Sequence, residues 1–298
     1  MDLQELQVEL TAFLNDSTLL AEHKLQQRAE ALDFLTFLQD VLRMERRPTP
    51  AIRHLQQQAL HLQSQLETVN AHLFEQLCMA IQSGTLRGNA LRGYVDQFTD
   101  YRLQKSDGVY MSYDGLDVLV DGLFQLKRAP AATIPPTVEM VHCEETPARV
   151  LLDLIDHTPL TQTDVFYDLG SGLGQVVMLV HLLTGVKAKG VEVEPVFCAF
   201  AQAQATRLGL PEVTFINTDA RMADYSDGTL FFMFTPFRGQ LLQNVLERLH
   251  QVAHHHPIRL CTFGSCTPRV ADQSWLRPVT PDARHEYKLA IFESALAG

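Results

Sequence analysis

Three closely spaced glycines separate two apolar segments in the run VFYDLGSGLGQVV, residues 165–177. The apolar residues before the glycines end at an acid, Asp168, and are typical of a short buried strand of a parallel sheet. Residues 175–183 are apolar and long enough for a helix, which Gly185 would end. Glycine has no Cβ and adopts positive φ readily, so the backbone between strand and helix can pass close to a ligand. The run therefore predicts a strand, a ligand-binding loop and a helix.

The spacing of this loop is G-x-G-x-G with an acid two residues before the first glycine, whereas the dinucleotide fingerprint is G-x-G-x-x-G. The pattern resembles motif I of the class I S-adenosylmethionine-dependent methyltransferases. That resemblance implies that Asp168 acts on the ammonium side of the methyl donor and that the loop holds its amino-acid portion. The predicted loop contacts are Gly170, Ser171, Gly172, Gly174 and Gln175. The alternative is an ordinary strand-to-helix turn.

Composition limits the class of protein. A chain of 298 residues with 46% hydrophobic residues can form one large domain and a smaller one. The formal net charge of −11 disfavours a broad surface for nucleic acid. The five scattered cysteines form neither zinc-type pairs nor a disulfide scaffold, and no long apolar stretch or secretory signal is present. We therefore expect a cytoplasmic protein with no metal site and no membrane or nucleic-acid partner.

Residues 1–105 are rich in Leu, Gln, Ala and Glu, which favours a helical region. Thr49 and Pro50 are typical of an N-cap and a first helical position. In the helix that follows, apolar residues recur at the a and d spacing of a coiled coil: Ile52, Leu55, Ala59, Leu62, Leu66, Val69 and Leu73. The short connection predicts an antiparallel pair with the preceding helix, and the same seam is also compatible with a homodimer.

Residues 106–137 form a predicted bridge, with an amphipathic helix near Leu116 to Leu123 and a proline-rich linker at 129–136. Tyr113, near the start of that helix, is a candidate for a substrate channel and the catalytic site. Its alternative role is half-buried packing.

A narrower resemblance follows the linker. Glu145-Thr146, a helix, and then the run from Asp164 to Val177 are similar to the core of the disruptor-of-telomeric-silencing type of protein-lysine methyltransferases and their prokaryotic relatives. In these families the segment before the helix folds over the methyl donor. The resemblance thus makes Glu145 and Thr146 candidate cofactor contacts, while Thr146 is also a candidate N-cap before Pro147.

Two later acids follow the ends of predicted strands. Glu192 ends the second strand about twenty residues past the loop, where a carboxylate can accept both ribose hydroxyls, and Glu194 is its competitor. Asp219, with Ala220, follows the third strand. By resemblance to class I methyltransferases Asp219 faces the adenine amino group, and an Asx turn is the alternative.

The fourth strand delivers Thr235-Pro236-Phe237 to the same sheet edge. Amine methyltransferases often carry an Asn where this chain has Thr235, and a threonine hydroxyl differs in length and geometry from an amide. We expect Thr235 and Phe237 to form the catalytic, acceptor side of the site.

Together these features predict an α/β protein. Residues 138–298 would form a Rossmann-like, seven-stranded class I methyltransferase domain that follows an α-helical, coiled-coil-like region. The expected cofactor is S-adenosyl-L-methionine and the expected reaction is methyl transfer to a lysine amine of a protein substrate. A small-molecule or RNA acceptor, and a non-catalytic scaffold that binds the donor, are the alternatives.

Overall fold

The computed structural model describes residues 3–45, 49–99, 115–135, 137–141 and 144–295. The N-terminal part is helical, as predicted. Its helices are α1 (Leu3–Asn15), α2 (Leu25–Arg43), α3 (Pro50–Gln82), α4 (Asn89–Thr99) and α5 (Gly115–Phe124), with short 3-10 turns at Ser17–Leu20 and Leu126–Arg128.

Helix α3 begins as the sequence predicts, because the Thr49 hydroxyl accepts the Ile52 N–H at 3.3 Å and Pro50 stands in the first turn. Helices α2 and α3 pack antiparallel. Arg28 meets Asn70 near the start of α2, and Gln56 donates to the Leu42 carbonyl near its end.

The predicted seam of α3 is buried within this chain from Ile52 to Leu66, against α1 and α2, whereas Val69 is only half-buried. A homodimer through these helices stays a prediction.

The C-terminal part alternates strands and helices. Its elements are α6 (Ala148–His157), β1 (Val165–Leu169), α7 (Gln175–Thr184), β2 (Lys187–Glu192), α8 (Pro195–Arg207), β3 (Val213–Asn217), β4 (Leu230–Phe234), α9 (Gly239–Ala253), β5 (Arg259–Phe263), α10 (Thr267–Ala271), β6 (Leu276–Pro278) and β7 (Ala290–Ser294). One sheet contains all seven strands in the order β3-β2-β1-β4-β5-β7-β6. Strands β1 to β5 are parallel, and β7 runs antiparallel to both β5 and β6. The predicted Rossmann-like fold is confirmed.

Strand β1 lies at the point where the chain direction through the sheet reverses, since β2 and β3 follow on one side and β4 and β5 on the other. Open α/β sheets bind ligands at the carboxyl ends of the strands beside this point. The glycine loop leaves β1 there.

Two apolar cores cover the two faces of the sheet. The core on one face is shared with the N-terminal helices, because Leu77 of α3, Leu119 of α5 and Val177 of α7 belong to one buried cluster. The other face is covered by α9 and the C-terminal elements. The division of the chain at residues 105 and 137 stays a prediction, but the helical region contributes directly to the core that supports the glycine loop. In the ranges that the structure describes, no helix is long and apolar enough to cross a membrane.

Candidate functional site

The glycine loop is fastened to β2 by two backbone hydrogen bonds. The N–H groups of Gly170 and Ser171 donate to the Val191 carbonyl at 2.9 and 3.0 Å. Gly170 has a φ of 82°, and a Cβ at that position would collide with the Pro236 ring. Only glycine satisfies both conditions, so this residue is required by the loop's conformation and by its close approach to the β4–α9 loop.

Gly174 is placed differently from the prediction. It starts α7 with a φ of 82°, and an added Cβ would lie 2.8 Å from the Ala201 Cβ and against the Phe215 ring. Gly174 is not among the residues that line the cavity beside the loop. The lack of a side chain at Gly174 serves the packing of α7 on α8 and β3, and a cofactor contact at Gly174 stays a prediction.

A cavity of about 660 Å³ lies beside the loop, at the carboxyl ends of the central strands. This volume is typical of a site for a small molecule. The other predicted residues that the structure describes all line it: Glu145, Thr146, Asp168, Gly170, Ser171, Gly172, Gln175, Glu192, Asp219, Ala220, Thr235 and Phe237. Tyr113 lies outside the described residues.

Asp168 is the most buried carboxyl of the cavity, with 3% of its surface exposed. Burial, and secondarily the nearby Glu192 carboxylate, raise its pKa to about 8. None of the described residues donates a hydrogen bond to the Asp168 side chain. A buried carboxyl without a donor or a cation is a costly arrangement, which a cationic ligand group would relieve.

Glu192 and Glu194 have different partners. The Glu192 carboxylate accepts the N–H groups of Gly172 and Glu194, each at 2.8 Å, so it joins the glycine loop to the end of β2. Burial raises the pKa of Glu192, although its backbone hydrogen bonds lower it. The Glu194 carboxylate is engaged by Thr133 and Ile134 of the linker, 61 and 60 residues earlier. This geometry favours Glu192 over Glu194 as the acid that faces a ligand.

Asp219 is held by the residue two positions later. Its carboxylate accepts the Arg221 backbone N–H at 2.8 Å and the guanidinium Nη2 at 2.6 Å. Hydrogen bonding from the Arg221 side chain lowers the pKa of Asp219 despite partial burial. The local turn that the sequence allowed is therefore present, and Asp219 nonetheless lines the cavity. Sequence reasoning missed Arg221, whose pairing depends on a side-chain conformation.

The acceptor side contains a strained residue. Thr235 has a φ of 37°, which a β-branched residue rarely adopts, and such strain is often found at functional sites. Its hydroxyl donates to the Phe263 carbonyl at 3.4 Å and lies 3.9 Å from the Cys266 sulfur. The hydroxyl thus has partners on β5 and the turn after it, which weakens the prediction that it aims an acceptor. Phe237 is 5% exposed and forms part of the cavity wall, as expected.

The segment before α6 also contributes. Thr146 is buried, and its carbonyl accepts the Gln175 side-chain amide at 3.0 Å, which joins this segment to the start of α7. The prediction that Thr146 caps α6 is wrong. The cap position is Pro147, and the Asp117 carboxylate of α5 accepts the Ala148 N–H at 2.7 Å.

One wall of the cavity comes from residues 132–135 and 137–141, which we call the strap. Sequence reasoning treated residues 132–135 of this segment as part of a proline-rich linker. The missed signal is the two polar residues of the strap, Thr133 and Glu139. The Thr133 hydroxyl donates to the Glu194 carboxylate, and the Glu139 carboxylate accepts the Gln240 N–H. Among the described residues no cluster of His, Cys, Asp or Glu could hold a metal ion.

Comparison with known proteins agrees with this geometry. Residues 137–211 match the family model described as Histone methylation protein DOT1. The matched segment contains most of the strap, the glycine loop, Glu192 and Glu194. Over these residues the chain resembles the DOT1 type of class I S-adenosylmethionine-dependent methyltransferase, and its sheet has the Rossmann-like order described above. No curated protein matches the chain in sequence.

Solved structures similar to the chain are distant. An RNA methyltransferase from Salinibacter ruber, in complex with S-adenosyl-L-homocysteine, is 20% identical over 52% of this chain and 95% of its own, with a TM-score of 0.40. A TehB-like SAM-dependent methyltransferase from Corynebacterium glutamicum is 16% identical over 49% and 85%, with a TM-score of 0.36. A mutant of MtNAS in complex with S-adenosylmethionine is 12% identical over 93% and 95%, with a TM-score of 0.41. At these scores the likenesses say nothing about the methyl acceptor.

Proposed function

We propose that the protein transfers a methyl group from S-adenosyl-L-methionine to a lysine amine of another protein. The observation that carries the choice of acceptor is the match of residues 137–211 to a histone methylation family, because it covers the glycine loop and residues 137–141 of the strap, which border the cavity. The charge of the cavity supports the same choice.

The lining is strongly acidic. Seven carboxylates line the cavity: Glu139, Glu144, Glu145, Asp168, Glu192, Glu194 and Asp219. Among the described lining residues the only Lys or Arg is Arg221, and it is paired with Asp219. Such a field attracts a cationic donor and a cationic acceptor and repels a phosphate backbone. It favours a lysine over an RNA base.

The residues present fit the donor. Asp168 is buried, receives no hydrogen bond from the residues that the structure describes, and suits a cationic amino group. In this proposal Glu192, which accepts the Gly172 N–H, also accepts ribose hydroxyls, and Asp219 accepts the adenine amino group. When bound, S-adenosyl-L-methionine supplies an already activated methyl group. The chain's own contribution is then to orient the two reactants and to exclude water.

The acceptor side fits an amine that has lost its proton. A lysine has an unperturbed pKa of about 10.4, so it must be deprotonated before it attacks. Phe234, Phe237 and Leu241 line this part of the cavity. Apolar walls disfavour the charged form of an amine and lower its pKa, which increases the fraction that can react.

The test begins with isothermal titration of the protein with S-adenosylhomocysteine. Donor carrying a labelled methyl group is then supplied with cell lysate, and labelled protein is hydrolysed to identify the methylated amino acid. We expect label on lysine. The matched variants are Glu192→Gln, which should weaken donor binding, and Glu212→Gln, an exposed carboxylate paired with Lys187 at 3.8 Å, which should not.

Each outcome decides between the alternatives. Label on RNA or on a small molecule would refute the lysine acceptor and retain the methyltransferase. Binding without any labelled product would favour a non-catalytic scaffold. Equal binding by Glu192→Gln and the natural protein would refute the proposed donor site.

A further inference from the structure

We propose that the strap is a two-point clamp over the cavity, and that Glu194 and Glu139 are positioning residues that fix its donor side and its acceptor side respectively. This inference rests on the proposed function only for the identity of the two sides. The clamp itself follows from the contacts of the strap.

The first fastening is the Glu194 carboxylate. One oxygen accepts the Thr133 hydroxyl at 2.6 Å, and the other accepts the backbone N–H groups of Thr133 and Ile134 at 2.8 and 2.7 Å. These hydrogen bonds lower the pKa of Glu194 although burial opposes them, so the group stays ionised near neutral pH. Hydrogen bonds to an ionised carboxylate are about twice as strong as those between neutral groups.

Glu194 also connects the strap to the donor site. Its backbone N–H donates to the Glu192 carboxylate at 2.8 Å, and the second oxygen of that carboxylate accepts the Gly172 N–H. The strap, Glu194, Glu192 and the glycine loop therefore form one continuous chain of hydrogen bonds around the donor side of the cavity. Loss of the first fastening should loosen the wall that Ala132 and Ile134 provide.

The second fastening is Glu139. Its carboxylate accepts the N–H groups of Gln240 and Leu241 at 2.8 and 3.1 Å, at the start of α9. A negative charge is favoured there because the first N–H groups of a helix have no partner within it. The Glu139 backbone carbonyl accepts the Arg238 N–H at 2.9 Å, and Val141 donates to the Pro236 carbonyl at 3.2 Å. This end of the strap is thus bound to the loop that carries Thr235 and Phe237.

The two fastenings predict different kinetic effects. Glu194→Gln removes the negative charge and replaces one acceptor oxygen by an amide group that cannot accept a hydrogen bond. We expect S-adenosylhomocysteine to dissociate about tenfold faster, equivalent to about 1.4 kcal/mol, with KM for the donor raised and kcat within about twofold. Thr133→Val keeps the shape and removes only the hydroxyl bond, so it should give about a threefold effect in the same direction. Glu139→Gln should instead lower kcat or raise the acceptor KM.

The experiment measures dissociation of S-adenosylhomocysteine by stopped flow, together with hydrogen exchange of the peptide that contains Thr133 and Ile134. In Glu194→Gln and Thr133→Val both the dissociation and the exchange of this peptide should be faster. Glu212→Gln is the matched control and should change neither quantity. A thermal melt shows whether each variant is folded.

The clamp is refuted if folded Thr133→Val and Glu194→Gln release S-adenosylhomocysteine as slowly as the Glu212→Gln control. Equal effects of Glu139→Gln and Glu194→Gln on the donor KM would refute the division into two sides. The dissociation and exchange results do not depend on the methyl acceptor, because they use the donor product alone. If lysine labelling fails while the dissociation rates change as expected, the clamp stands and the choice of acceptor is wrong.

Discussion

The buried carboxyl of Asp168 makes the stability of the free protein dependent on pH in a way that one substitution should remove. Burial raises its pKa from 3.8 to about 8, so the native state retains a proton that the unfolded chain has already released. A group with a raised pKa contributes stability that is fully present below pH 3.8 and is lost as the pH rises through about 8. Asp168→Asn has nearly the same shape and does not titrate.

The magnitude follows from the pKa. Between pH 7 and pH 9 the native carboxyl changes from about nine-tenths protonated to about one-tenth, which removes about 1.4 kcal/mol of unfolding free energy. Urea unfolding at the two pH values measures this loss. The natural protein should lose about 1.4 kcal/mol more than Asp168→Asn over this interval. Glu212→Gln, tested in parallel, should follow the natural protein.

Donor binding should show the opposite trend. Only the ionised carboxyl pairs with the amino group of the ligand, and its fraction rises from about one-tenth at pH 7 to about one-half at pH 8, so the affinity for S-adenosylhomocysteine should rise about fivefold. In Asp168→Asn the affinity should be low and should not rise. Parallel pH dependences of the natural protein and Asp168→Asn, in both unfolding and binding, would refute the reasoning.

Three further predictions test other parts of the structure. Gly174→Ala should lower the free energy of unfolding in urea by about 2–4 kcal/mol, because the added methyl group collides with neighbouring side chains and the residue has a positive φ. Gly93→Ala, where an added Cβ has nothing within 4 Å, should be neutral or stabilising. Equal effects of the two substitutions would contradict the packing role of Gly174. Arg28→Met should lower the free energy of unfolding by about 3 kcal/mol in the same assay, because three backbone carbonyls would lose the buried guanidinium that donates to them. A loss below about 0.5 kcal/mol would contradict this role of Arg28. In methyl transfer, Thr235→Val should reduce kcat/KM less than threefold and Phe237→Ala at least tenfold, and the reverse order would show that the Thr235 hydroxyl acts on the acceptor.

The parts of the site that the sequence predicted share one physical reason. Asp168, Glu192 and Asp219 each follow or end a strand of a parallel sheet, and the carboxyl ends of such strands meet at one edge. Their distance along the chain is therefore irrelevant to whether they converge. The apolar seam of α3 could also be predicted from the sequence, because helical periodicity is a local property.

The parts that were missed depend on contacts between distant residues with no periodic pattern. Asp117 caps α6 from 31 residues away, and Glu194 fastens the strap 61 residues before it. Neither contact can be inferred without knowing how α5 and the strap lie on the domain. Strand β6 has no recognisable sequence signal, since its three residues are too few to show a period of two.

Four of the seven acids of the cavity accept hydrogen bonds that fix parts of the protein, whereas the described residues donate none to the side chain of Asp168. The Glu139 carboxylate is satisfied by amides at the start of α9, Glu192 by the glycine loop, and Glu194 by the strap. Asp219 is satisfied by Arg221. Asp168 is more buried than any of them and has no such donor among the described residues. Because a buried carboxyl destabilises the native state unless a cation or a donor accompanies it, its retention at the end of β1 is best explained by a ligand that brings the positive charge with it.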